Sequence, residues 1–144
     1  YINSKEMKVH KDEEKKVKII AGKFENAEGP IKGHNVEPIY FDVELKKDKY
    51  FNFSLASTHN SLIYLVVGEI KIGDMNHKKI DGSNLILLSK GEKLKVKAIT
   101  DTKFLLISGK PINEKIARGG PFVMNTKSEI LEAVNDFHNG TFVK

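Results

Sequence analysis

The chain has 144 residues, 40% of them apolar and 30% charged, which suits one globular domain with a sizeable core and excludes a two-domain enzyme of ordinary size. It contains no cysteine, so disulfides, thiolate catalysis and thiolate metal ligands are excluded together, and a reducing, intracellular compartment is expected. The 24 basic and 19 acidic residues leave a net charge of +5, but Arg118 is the only arginine and the lysines are scattered or interleaved with acids. That distribution argues against direct nucleic-acid binding, which leans on the planar guanidinium fork.

The chain begins on Tyr1, and residues 1–16 are polar, with charges such as Lys11-Asp12-Glu13-Glu14-Lys15-Lys16 and no apolar signal core. They read as a polar leader or interdomain linker of a longer parent, ahead of a single domain over 17–144. Val17 to Ala21 reads as a first strand closed by Gly22, and residues 23–35, with Gly29, Pro30 and Gly33, as a loop or pair of turns. Ile39, Phe41, Val43 and Leu45 alternate with Tyr40, Asp42 and Glu44, the period of a half-buried strand. Tyr50 to Leu55 alternates again. Ser61 to Val67 is the longest uncharged apolar run, far too short for a membrane span, and Gly68 separates it from a further strand over 69–73. More strands are expected at 77–80, 85–88, 93–99 and 103–108, with Asp81-Gly82, Lys90-Gly91 and Asp101 as turns. In Lys93-Leu94-Lys95-Val96-Lys97-Ala98 the lysines mark the solvated face of a strand.

One strand every 8 to 12 residues is the rhythm of an all-β sandwich or barrel, and an antiparallel jelly roll is expected. The C-terminal end differs. Arg118-Gly119-Gly120-Pro121-Phe122 cannot be helix interior, whereas Thr126-x-x-Glu129 is a capping box, followed by Ile130, Leu131, Val134 and Phe137 at helical spacing and an Asn139-Gly140 stop. One helix over 126–138 is therefore expected on an otherwise β protein.

Catalytic constellations are absent from the sequence. No serine lies in a Gly-x-Ser-x-Gly elbow or a Ser-x-x-Lys pair, and Gly119-Gly120 is followed by proline, which removes an amide donor a phosphate loop would need. Five histidines are present, no two of them close in sequence. Were this domain to hold a metal, His59 and His77, with His34, are the candidates to share a cavity. Surface or turn positions are the plainer reading, so no catalytic residue and no metal site is assigned.

Gly109-Lys110-Pro111-Ile112-Asn113-Glu114, followed by Arg118-Gly119-Gly120-Pro121-Phe122-Val123-Met124-Asn125-Thr126 and the helix through Phe137, closely resembles the C-terminal domain of pirin-like proteins. Glu37 to Val43 is similar to that domain's early strand, and Ser61 to Gly73 to its central hairpin; the resemblance covers roughly residues 16 to 142. It implies a cupin-type jelly-roll barrel that forms the second half of a bicupin. The family's first barrel holds Fe(II) or another divalent metal, and its members are described as quercetin 2,3-dioxygenase-like enzymes and, in eukaryotes, nuclear transcriptional co-regulators. Counted from Gly68, the cupin ligand positions fall here on Ser54, Ala56, Asn60 and, for the second motif, Leu94, which cannot ligate iron. The expectation is a non-catalytic, metal-free domain, cytoplasmic or, in a eukaryote, nuclear. Its partner would be the N-terminal cupin of the same parent, docked on Gly119, Gly120, Pro121, Phe122 and Met124. The alternatives are that Phe122, Val123 and Met124 fill the barrel's own mouth, that the barrel binds a small molecule, and that the chain is a stand-alone small cupin enzyme.

Overall fold

The computed structural model describes residues 2–32, 35–73 and 79–143, in two compact units, Tyr1–Pro111 and Ile112–Lys144. In the first unit the strands are β1 (Lys8–Lys11), β2 (Lys15–Ala21), β3 (Lys23–Phe24), β4 (Ala27–Glu28), β5 (Ile39–Leu45), β6 (Tyr50–Ser54), β7 (Asn60–Val67), β8 (Glu69–Ile72), β9 (Ile80–Asp81), β10 (Asn84–Leu87), β11 (Lys93–Ala98) and β12 (Thr102–Gly109). They form a six-stranded sheet in the order β1-β2-β5-β12-β7-β10, a four-stranded sheet in the order β6-β11-β8-β9, and the small β3-β4 hairpin. Pairing between these strands is antiparallel throughout. From β5 to β12 the chain passes repeatedly from one sheet to the other, the jelly-roll arrangement expected.

Strand alternation explains the core. Phe41, Val43 and Leu45 of β5, Ile63 and Leu65 of β7 and Phe104 and Leu106 of β12 are buried on one sheet, and Phe51 of β6, Ile70 of β8 and Leu94, Val96 and Ala98 of β11 on the other. The rings of Phe51 and Phe104 meet edge-on at 5.5 Å between the sheets, and those of Phe41 and Phe53 at 5.0 Å. Gly68 sits where the chain leaves β7 for β8, at φ +93°; a Cβ there would lie 2.5 Å from the Asp101 carbonyl oxygen.

Two short features lack a sequence signal. Lys8–Lys11 form edge strand β1 on β2, mostly exposed, with the His10 ring edge-on to Phe24 at 5.3 Å. Within 23–35, expected to be loop, β3 and β4 form a hairpin that carries Phe24 into the core, with Glu25 at φ +50° in its turn. Of the strand expected at 77–80, residues 77 and 78 lie outside the described residues, and Ile80 begins β9.

The second unit holds β13 (Ala117–Gly119), β14 (Phe122–Met124) and α1 (Lys127–Asn139). The capping box forms as expected: Glu129 N–H donates to Thr126 Oγ1 at 3.3 Å, and Thr126 N–H donates to Glu129 Oε2 at 2.7 Å. Gly140 ends the helix at φ +72°.

Candidate functional site

β6 and β11 lie side by side, with Lys93 opposite Ser54 and Leu94 opposite Phe53. Their alternation decides which side chains face the interior. Phe51 and Leu55 are buried, Phe53 packs on the core, and Leu94 is buried; Ser54 and Ala56 are exposed. Ser54 and Ala56, the positions reached by counting from Gly68, are exposed, and the neighbouring inward places are held by Phe53 and Leu55. Neither carries a donor atom, so these two places do not fit a metal. An open cavity of about 1030 Å³ is lined here by Phe53, Leu55, Ile72, Ile86, Leu88 and Leu94, together with polar residues that include Ser54 and Lys93.

His59 is in a different corner. It precedes β7, is buried, and donates its backbone N–H to the Ala56 carbonyl at 3.0 Å. Its Nδ1 lies 3.4 Å from Ser108 Oγ, which is 2.7 Å from Ser61 Oγ, while Nε2 lies 3.8 Å from a Glu37 carboxylate oxygen. The Lys90 ammonium donates to the carbonyls of His59 at 2.8 Å and Thr58 at 3.2 Å and to Asn60 Oδ1 at 2.9 Å, closing the corner. This Ser-His-Glu grouping has the members of a nucleophilic triad, but Ser108 is 3% exposed and its hydroxyl is taken up by Ser61. Its hydrogen bonds make a polar clasp between β7 and β12. Sequence reasoning missed it because Ser61 and Ser108 meet only through the register of those two strands.

Among the described residues, no group of three or more His, Asp or Glu side chains is placed to hold a metal ion. His34 and His77, the companions considered for His59, lie outside the described residues. His10 pairs with Asp12 and Glu25 at the surface, and His138 is exposed near the helix end. Several carboxylates are held below their usual range by local bonds, among them Asp12 by Lys15, whose ammonium is 2.9 Å away, and Glu129 chiefly by the Thr126 hydroxyl at 2.8 Å. Both are structural.

The Gly119–Thr126 string is explained within the second unit. Gly119 leaves room for the Ile130 side chain, which a Cβ would strike, and Gly120 makes the hairpin turn at φ +56°. Asn125 donates through Nδ2 to Glu114 Oε2 and to the Lys115 carbonyl, each at 2.9 Å, and Thr126 caps the helix. The Phe122 ring lies 6.0 Å from that of Phe137 and 5.2 Å from that of Phe142. Phe122 and Met124 are half-buried, while Val123 between them is 59% exposed.

That string falls inside a longer match: the profile of the pirin C-terminal cupin domain fits residues 40–143. The chain belongs to the pirin family. A pirin-like protein of Caulobacter vibrioides is 34% identical over 127 residues, which make up 88% of this chain and 45% of that protein. A pirin-like protein of Solanum lycopersicum is 38% identical over 104 residues, 71% of this chain and 36% of the relative. The solved structure of a quercetin 2,3-dioxygenase from Acinetobacter baumannii is 33% identical, with a TM-score of 0.85, covering 98% of this chain and 49% of that one. An RmlC-like cupin from Shewanella frigidimarina, 12% identical with a TM-score of 0.52, shares the fold alone. This pirin domain thus has the cupin jelly-roll fold, and it spans about half the length of the curated relatives it matches. Among the described residues, no helix is long and apolar enough to cross a membrane.

Proposed function

We propose that this chain is an accessory cupin: it binds no metal itself and packs on the N-terminal cupin of a pirin-like bicupin, shaping the metal-bearing face of that partner. The observation that carries the reading is the apolar trio Phe53 of β6, Leu55 just after it and Leu94 of β11, at inward positions where a metal-binding cupin presents imidazoles and carboxylates. Docking falls to the Gly119, Gly120, Pro121, Phe122 and Met124 hairpin. The small second unit supports this with the exposed apolar side chains of Ile116, Val123, Leu131 and Phe137. Oxidation of a quercetin-like substrate, or regulation of transcription in a eukaryote, belongs to the two-cupin parent, with Fe(II) or another divalent metal in the other half and an intracellular location. The cavity beside Leu94 gives the parent a second, apolar compartment for a small molecule.

The test is metal content after incubation with Fe(II), Mn(II) and Zn(II) and removal of the excess. Near-zero stoichiometry is expected; one tightly held metal per chain would overturn the accessory reading. Adding the N-terminal half in trans should raise the thermal midpoint of one or both parts, and no shift in either would sink the docking.

A further inference from the structure

Three neighbouring strands of the six-stranded sheet, β12, β7 and β10, are apolar on both faces. They carry the runs Phe104-Leu105-Leu106-Ile107, Leu62-Ile63-Tyr64-Leu65-Val66 and Leu85-Ile86-Leu87. Phe104, Leu106, Ile63 and Leu65 fill the core, so Leu62, Tyr64, Val66, Leu85, Leu105 and Ile107 stand on the outer face. Register joins them into one patch: Tyr64 lies opposite both Leu85 and Leu105, and Leu62 opposite Ile107. Leu85 is 60% exposed and Tyr64 38%. An antiparallel sheet with one wet face alternates apolar and polar residues, as Lys93, Lys95 and Lys97 do on β11. A strand that is apolar throughout is one made to be buried on both faces. The charges of this outer face gather to one side of the patch, where Lys16 of β2 pairs with Glu44 of β5 at 3.1 Å and Lys103 of β12 with Asp42 of β5 at 3.3 Å.

We propose that the N-terminal half of the two-cupin parent covers this outer face of β12, β7 and β10, in addition to its contact with the hairpin of the second unit. The inference rests on the accessory-cupin reading and adds to it the sheet surface that the partner occupies. A body of fitting size exists in the relatives: the match takes up 45% of the Caulobacter vibrioides protein and 49% of the Acinetobacter baumannii structure, which leaves about as much chain again. Contiguous apolar surface rimmed by ion pairs is how a contact between two protein bodies is built, with a dry centre and a polar edge. Two sheets pack in this way face to face, about 10 Å apart. A second copy of this chain fits less well, because each copy brings the same net charge of +5.

The test is hydroxyl-radical footprinting of the 144-residue chain beside the full-length parent, with thermal unfolding of both. Tyr64 and Leu85 should be labelled in the chain and severalfold less in the parent. The Y64S/L85S variant should lower the thermal midpoint of the parent by about 3 °C or more beyond its effect on the chain, since only in the parent do these side chains lose a cover. L85S alone, on an exposed position of β10, serves if the double variant fails to fold. Equal labelling of Tyr64 and Leu85 in the two proteins, or an equal fall in both midpoints, would overturn the proposal. So would protection that appears in the 144-residue chain as its concentration is raised, which would assign the face to a second copy. If the sheet face stays labelled while Phe122 and Met124 become protected in the parent, this inference falls and the accessory reading stands; if neither set is protected, both fall.

Discussion

The first unit hides its large side chains and the second displays them. Between the two sheets Phe41, Phe51, Ile63, Ile70 and Phe104 have no exposed surface, whereas among the described residues of the second unit the buried hydrophobic residue is Ala133, with Leu131 66% and Phe137 63% exposed. The first unit therefore owes its stability to non-local burial, contributed by strands far apart in sequence. The second owes its shape to local devices: a three-residue hairpin, a capping box, an αL stop and a cluster of three phenylalanine rings. A unit built that way can be folded in outline yet keep apolar surface available for a partner, which is what the accessory-cupin reading asks of it.

The contrast is tested most severely at Phe104. Phe104→Ala removes a ring packed against Phe51 across the sheets and should cost about 3–5 kcal/mol in urea unfolding. A loss below about 1 kcal/mol would mean that the inter-sheet core is not what holds the unit together. Gly68→Ala comes next. It forces a side chain into a left-handed backbone and against the Asp101 carbonyl, and should cost about 3 kcal/mol in the same urea unfolding. Thr126→Ala should cost only about 1 kcal/mol. Its signature is regional: faster amide exchange over 127–139, with β5, β7 and β12 unchanged. Equal loosening of those strands would show that the two units are not separately stabilised.

Legibility in the sequence follows the same division of forces. Strands with one face on the core, such as β5, β7, β11 and β12, carry the period-2 pattern and were readable within a residue or two. The helix was readable because its cap chemistry is local. β1 was not, since a mostly exposed edge strand leaves no apolar period, and the β3-β4 hairpin was hidden by its two-residue strands. At the candidate site, which face a residue takes depends on register to a single residue: of the positions counted from Gly68, Leu94 faces inward while Ser54 and Ala56 are exposed. The clasp of His59, Ser61 and Ser108 was invisible, as it exists only once β7 and β12 pair at a separation of 47 residues.

The smallest expected effect is a pH dependence confined to the second unit. The Glu129 carboxylate accepts from the Thr126 hydroxyl, from Thr126 N–H and from Asn125 N–H at 3.1 Å, and these bonds hold its pKa below the ordinary glutamate value. A carboxyl depressed in the folded state contributes stability that is present above its unfolded pKa and lost as pH falls through the folded one. The start of α1 should therefore be protected at neutral pH and should begin to fray below about pH 4, where an unfolded glutamate takes up its proton. Amide exchange over residues 127–130 measured from pH 6 to pH 3 reads this directly, with Glu129→Gln as the control that removes the titration. If the variant frays along the same curve as the wild type, the pH response belongs to other carboxylates, and the capping box holds the helix by geometry rather than by charge.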